Sequence, residues 1–113
     1  MPLRCKYCFR MDLQEYLPAF LKDARGQLSQ MQTALKSLGI NQAEAMTIIH
    51  RGFHTLGGTA GTMQIQPLYD LCLRWEATVK ILKDSGAAVS ADDQEALSGA
   101  MNEVEAEIAK ITP

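Results

Sequence analysis

The feature that most constrains the fold of this 113-residue chain is the three- and four-residue spacing of its apolar side chains. Between residues 12 and 38 this spacing predicts a long helix with one apolar side, made of Leu13, Leu17, Phe20, Leu21, Ala24, Leu28, Met31, Leu35 and Leu38. Pro18 lacks an N–H and its ring clashes with the preceding turn, so we expect a short helical turn over residues 12–17, with Pro18 opening or kinking the long helix. Gly39 then predicts a left-handed cap at the end of that helix.

Three further stretches of the chain repeat the helical spacing. One begins near Gln42, and the next follows Pro67, a residue that fits the first turn of a helix, and ends before Gly86. The last begins after Ser90, whose spacing to Asp93 resembles a capping pair. The sequence contains no sustained alternation of apolar and polar residues, which is the pattern that predicts a strand. We therefore expect an all-α protein. Its predicted architecture is an antiparallel four-helix bundle with a short extra N-terminal helical turn.

The charge and composition of the chain exclude several classes of function. Eleven Lys and Arg against thirteen Asp and Glu give a net charge of −2, which attracts neither nucleic acid nor an anionic membrane. No apolar run is long enough to cross a bilayer. Three cysteines and a start that does not resemble a secretory signal predict a cytoplasmic protein. The length fits one domain, which we expect to be monomeric and to occupy residues 12–112 behind a flexible segment 1–11.

A bundle alone does not explain the stretch between residues 47 and 61. On a helix these residues share one face: Thr47, His50, Arg51, His54, Gly57, Gly58 and Gly61. In a helix interior each glycine costs roughly 1 kcal/mol relative to alanine, so three glycines beside His54 indicate that another surface must approach this histidine closely. The alternative interpretation is that Gly57-Gly58 ends the helix and leaves His54 as a surface histidine.

The run FHTLGGTAGTM, which begins at Phe53, resembles the phosphorylated helix of histidine-containing phosphotransfer (HPt) domains. It is most similar to the N-terminal phosphotransfer domain of chemotaxis-type sensor histidine kinases. The positions that match the family pattern are His54, Gly58, Thr59, Ala60 and Gly61. Glu76 also stands where these domains carry a glutamate on the next helix. The resemblance covers all four predicted helices.

The resemblance implies a phosphoryl carrier in a two-component phosphorelay rather than an enzyme. His54 would carry the phosphoryl group between a sensor histidine kinase and a response-regulator receiver domain. Imidazole is neutral and nucleophilic near pH 7, and Glu76 would accept a hydrogen bond from one ring nitrogen and orient the other for attack. The domain would bind no cofactor, because Mg²⁺ is expected on the partner. Gly57, Gly58 and Gly61 would clear the partner's approach, while His50 would shape the docking surface.

Two positions depart from the family pattern, and they support a second hypothesis. Gly57 stands where the family has a lysine that helps to hold the phosphoryl charge, and Gln64 replaces a glycine. Either Arg51 or Lys80 could supply a positive charge instead. The second hypothesis is a degenerate HPt-like bundle that is not phosphorylated and acts as a binding or inhibitory module for a kinase or a receiver.

Two metal-binding patterns in the sequence are incomplete. His50 and His54 are spaced to bind a metal from one helix, but Arg51 stands where a zincin has its glutamate. Cys5 and Cys8 form a C-x-x-C pair without the second pair of a zinc ribbon. We therefore predict no metal site and interpret the two thiols as part of an unstructured tail.

Overall fold

The computed structural model of this chain describes residues 2–111, with side chains from residue 15 onward. Within that range it contains no strand and four α-helices, which are α1 (Pro2–Lys36), α2 (Gln42–Thr62), α3 (Gln66–Ser85) and α4 (Ala91–Ala109). α2 packs against α1 and α3, and α4 packs against the other sides of α1 and α3. Short connections make consecutive helices antiparallel. The predicted all-α four-helix bundle is therefore confirmed.

The N-terminal part of α1 differs from its prediction. The helix runs unbroken through Pro18, so residues 12–17 belong to α1 and do not form a separate turn. Pro18 is exposed, and α1 continues through it although its ring cannot donate a backbone hydrogen bond. Residues 2–11 are the first turns of α1, so the interpretation of this stretch as an unstructured tail is wrong, while the flexibility of segment 1–11 stays a prediction. The Cys5–Cys8 pair lies outside the residues whose side chains are described.

The C-terminus of α1 also differs from its prediction, because Gly39 does not adopt a left-handed conformation. A tight turn uses the last carbonyls of the helix instead. In it the Ser37 N–H donates to the Ala34 carbonyl at 3.0 Å, and the Ser37 hydroxyl donates to the same carbonyl at 2.9 Å. Among the described residues the left-handed glycine cap occurs at Gly86, where φ is 69° and α3 ends.

Side-chain caps fix where α2 and α4 begin. The Asn41 side chain accepts a hydrogen bond from the Glu44 N–H at 3.2 Å. The Ser90 hydroxyl accepts one from the Asp93 N–H at 3.0 Å, which confirms the capping pair predicted there.

All four helices contribute to one apolar core, and an aromatic contact between α2 and α3 lies at its edge. Phe53 of α2 is fully buried, and its ring stacks on Trp75 of α3 with centroids 6.5 Å apart and planes at 22°. Each ring belongs to the residue directly before His54 or Glu76. The opposite sides of the helices are polar, and no helix in residues 2–111 has the length and apolar character that crossing a membrane requires.

A glycine allows α1 and α2 to approach closely. Gly52 is buried on α2, and a β-carbon at this position would overlap the side chain of Met31 on α1. Met31 is itself fully buried, so it has little free space into which it can move. The backbone of α2 thus packs directly on the Met31 side chain.

We predict that Gly52→Ala lowers the free energy of unfolding by about 1–3 kcal/mol, because the added methyl group overpacks this contact. Gly26→Ala on α1 is the matched control, since a β-carbon there meets no atom within 4 Å. The control is expected to gain up to about 1 kcal/mol from helix propensity alone. Urea denaturation measures both variants, and equal gains in stability would contradict the predicted clash.

Candidate functional site

The site lies on the seam between α2 and α3, where His54 and Glu76 meet. Nδ1 of His54 is 2.8 Å from Oε2 of Glu76. Because an ionised carboxylate can only accept, Nδ1 carries the proton and donates it, which leaves the lone pair of a neutral ring on Nε2. The His54 side chain is 70% exposed, whereas that of Glu76 is 24% exposed. The pair therefore presents an oriented, accessible imidazole nitrogen.

α2 itself continues past His54 to Thr62, so the Gly57-Gly58 pair does not end the helix. The alternative interpretation, in which His54 is a surface histidine at a helix end, is therefore wrong. α2 stays helical despite its glycines because buried apolar side chains continue on its inner side through Leu56 and Ala60.

His50 lies one helical turn before His54 and faces the same carboxylate. Its Nε2 is 4.0 Å from Oε2 of Glu76. This nitrogen is shielded from solvent and has no hydrogen-bond partner among the described residues. Burial lowers the pKa of His50 below the ordinary value of 6.5, and the charge of Lys83 acts in the same direction, while Glu76 opposes both. His50 is therefore neutral near pH 7.

The cations predicted to compensate for the missing family lysine lie in different settings. Lys80 donates to Oδ2 of Asp84 at 2.9 Å, and this bond lowers the pKa of the Asp84 carboxyl. Arg51 is exposed on α2. Sequence reasoning missed Asp84, although its four-residue spacing from Lys80 is the signal that predicts a helical ion pair. It also missed Lys83, one turn after Lys80, whose charge acts on His50.

The three glycines predicted to clear the approach to His54 have three different neighbours. Gly57 is buried, and a β-carbon there would lie 3.4 Å from Cβ of Cys72 on α3. The prediction that Gly57 faces a docking partner was therefore wrong, because α3 covers it. A β-carbon at Gly61 would lie 3.1 Å from the ring of Tyr69. Gly58 alone of the three is exposed with open space beside it.

Two further residues of α3 complete the surroundings of the site. Leu73 is 50% exposed beside Glu76 on the outer side of α3, whereas Tyr69 packs against the core. Cys72 is fully buried beneath Gly57. Burial raises the pKa of the Cys72 thiol to about 12, and the charge of Glu76 acts in the same direction. The thiol thus acts as an apolar packing group.

No group of three or more His, Cys, Asp or Glu side chains in the described part of the chain is arranged to hold a metal ion. His50, His54 and Glu76 converge without forming such a group. Glu76 is hydrogen-bonded to His54, and His50 Nε2 lies 4.0 Å from the same carboxylate oxygen.

A protein family and a solved structure are similar to this chain. A family model described as "Hpt domain" matches residues 15–107. The solved structure of the CheA phosphotransferase domain from Thermotoga maritima is similar with a TM-score of 0.77 and 24% sequence identity, over 85% of this chain and 93% of that chain. At this identity the likeness shows the fold alone. No curated protein matches the chain significantly.

The lowered pKa of His50 predicts a pH dependence of stability. Because the folded protein disfavours protonated His50, its contribution to stability is complete above pH ~6.5 and is lost as the pH falls through the folded-state pKa. We predict that the free energy of unfolding falls more steeply below this pH in the wild-type protein than in His50→Gln, which cannot titrate. Urea denaturation at a series of pH values measures this, and parallel profiles would contradict it.

Proposed function

This chain belongs to the Hpt domain family, and we propose that it carries a phosphoryl group on Nε2 of His54 between a sensor histidine kinase and a response-regulator receiver domain. The observation that carries the proposal is the hydrogen bond of 2.8 Å from Nδ1 of His54 to Glu76. It occupies one ring nitrogen and leaves the other as an exposed nucleophile.

In the proposed transfer, the bond that forms at His54 is matched by a bond that breaks in the phosphoryl donor. The lone pair of Nε2 attacks phosphorus, and the new P–N bond forms as the bond to the leaving group breaks, which releases ADP when the donor is ATP on the kinase. The ring becomes positively charged because Nδ1 keeps its proton. Glu76 then faces a phosphorylated imidazolium and stabilises its charge. When a receiver aspartate attacks the same phosphorus, the P–N bond breaks and the neutral imidazole returns.

The partner would supply the rest of the chemistry. Phosphoryl transfer needs neutralisation of the phosphoryl oxygens, which we assign to the Mg²⁺ and the charged groups of the kinase or of the receiver. In this proposal the domain is a carrier and not an enzyme. The open backbone at Gly58 and the exposed side chain of Leu73 are the surfaces that a partner would contact.

One observation supports the second candidate function, a binding or inhibitory module that is not phosphorylated. The position of the family lysine is Gly57, which is buried against Cys72. Lys80, a possible substitute, is engaged by Asp84. A phosphoryl group on His54 would then depend more heavily on charges from the partner.

We predict that ³²P-labelled phosphoramidate labels the wild-type protein and does not label His54→Gln. Phosphoramidate transfers its phosphoryl group to imidazole and releases ammonia, so that this experiment needs no partner protein. The label on a phosphohistidine is lost in acid and kept in alkali. His50→Gln is the matched control, because it removes the neighbouring imidazole and keeps His54.

The result separates the two candidate functions. Label on the wild-type protein that His54→Gln loses supports the carrier. A wild-type protein that takes no label, yet binds a receiver domain equally well with and without His54→Gln, supports the binding module and contradicts the carrier.

We predict that Gly58→Leu slows transfer from the labelled protein to a receiver domain of its own organism by about tenfold, a loss of ~1.4 kcal/mol. Gly58 is exposed and no atom lies within 4 Å of a β-carbon there, so the leucine side chain starts into open space. Labelling by phosphoramidate should stay unchanged, since this small donor needs no docking surface. Gly99→Leu on α4 is the control, because a β-carbon at Gly99 likewise meets no atom within 4 Å. Equal transfer rates in both variants would contradict a docking surface at Gly58.

A further inference from the structure

We infer that His50 is a positioning residue for the phosphoryl-accepting histidine: its Nε2–H donates a second hydrogen bond to the Glu76 oxygen that already accepts from His54. The inference rests on the proposed function for its consequence in phosphoryl transfer. Its structural part concerns the ring of His54 alone and can be tested without any transfer.

The geometry of three side chains points to this role. His50 and His54 are one helical turn apart, and both direct a ring nitrogen at Oε2 of Glu76, at 4.0 and 2.8 Å. A carboxylate oxygen has two lone pairs and can accept from both. The distance from His50 exceeds an ordinary N–H···O hydrogen bond by about 1 Å, so the inferred bond requires a rotation of one of the two side chains.

The surroundings of the His50 ring favour this rotation. Its Nε2 is shielded from solvent and has no other partner among the described residues, and a buried polar nitrogen without a partner is unfavourable. The charged or titratable groups that act on the ring are Lys83 and Lys80 of α3, His54 of α2, and Glu76, whose carboxylate faces Nε2. In a neutral ring, the proton therefore belongs on Nε2, where it faces a negative charge.

His50 is placed to hold Glu76 against α2. Glu76 lies four residues before Lys80, the spacing and order that favour an ion pair along a helix. Lys80 binds Asp84 in the structure, but a carboxylate held only by His54 would still have this lysine within reach. A second hydrogen-bond donor on α2, the Nε2–H of His50, keeps the Glu76 carboxylate close to His54 and away from Lys80. The Nδ1–H form of His54, with Nε2 free, is then the stable one.

The two histidines differ in solvent exposure, and this difference indicates that they have different roles. The His54 side chain is 70% exposed and that of His50 is 23% exposed. The His50 nitrogen that faces Glu76 is closed to solvent, so a phosphoryl donor cannot reach it. In the proposed role His50 acts through Glu76, and its Nε2 is not available to a phosphoryl donor.

The test compares His50→Leu, which removes the donor, with His50→Gln, whose amide nitrogen lies about as far from the backbone as Nε2. ¹⁵N NMR of the His54 ring measures the fraction of the Nδ1–H tautomer. We expect wild type and His50→Gln to agree, and His50→Leu to show at least about a twofold increase in the Nε2–H form. Phosphoramidate labelling should be about fivefold slower in His50→Leu and within twofold of wild type in His50→Gln.

The Glu76→Ala background completes a double-mutant cycle. There His50→Leu should change neither the His54 tautomer nor the labelling rate further, because the shared carboxylate is absent. Folding of each variant is checked by circular dichroism, and His50→Asn, with a shorter amide, replaces His50→Leu if the latter does not fold.

Two results would overturn the inference. One is a His54 tautomer fraction in His50→Leu that equals that of wild type. The other is an effect of His50→Leu on the tautomer or the labelling rate that is the same with and without Glu76. If no variant takes label, the proposed function fails while the NMR comparison still decides the role of His50.

Discussion

The stack of Phe53 on Trp75 is the contact on which the site depends. The two rings lie 6.5 Å apart between α2 and α3, and each is followed directly in the chain by a residue of the site. If either helix slid along its neighbour by one turn, about 5.4 Å, the stack would separate and His54 would lose its carboxylate. The hydrogen bond at the surface is therefore set by packing in the interior.

The four helices, and their approximate limits apart from the start of α1, could be predicted from the sequence because apolar spacing reports which side of each helix is buried. The cap at Ser90 and the break at Gly86 followed from local chemistry in the same way. The separate turn before Pro18 and the left-handed cap at Gly39 were wrong predictions, because each residue was assigned its most frequent role. α1 continues as a helix through Pro18, and the turn at Ser37 closes α1 without a left-handed residue.

His54 and Glu76 were predicted through a family resemblance, and the structure brings the two side chains together. The glycines were harder to interpret, because spacing along a helix identifies a face but not what lies opposite to it. Gly57 and Gly58 are neighbours in the chain, yet α3 covers the first and leaves the second open. The direction of the His50 ring depends on its rotamer and on Glu76, neither of which the sequence encodes locally.

Trp75 is an intrinsic fluorescence probe next to the site. It is the single tryptophan of the chain, it precedes Glu76, and its indole N–H is buried without a partner among the described residues. Indole emission responds to the polarity and the electric field around the ring. A charge that appears on the neighbouring imidazole, or a protein that presses on this seam, would thus change the intrinsic fluorescence of the unlabelled chain.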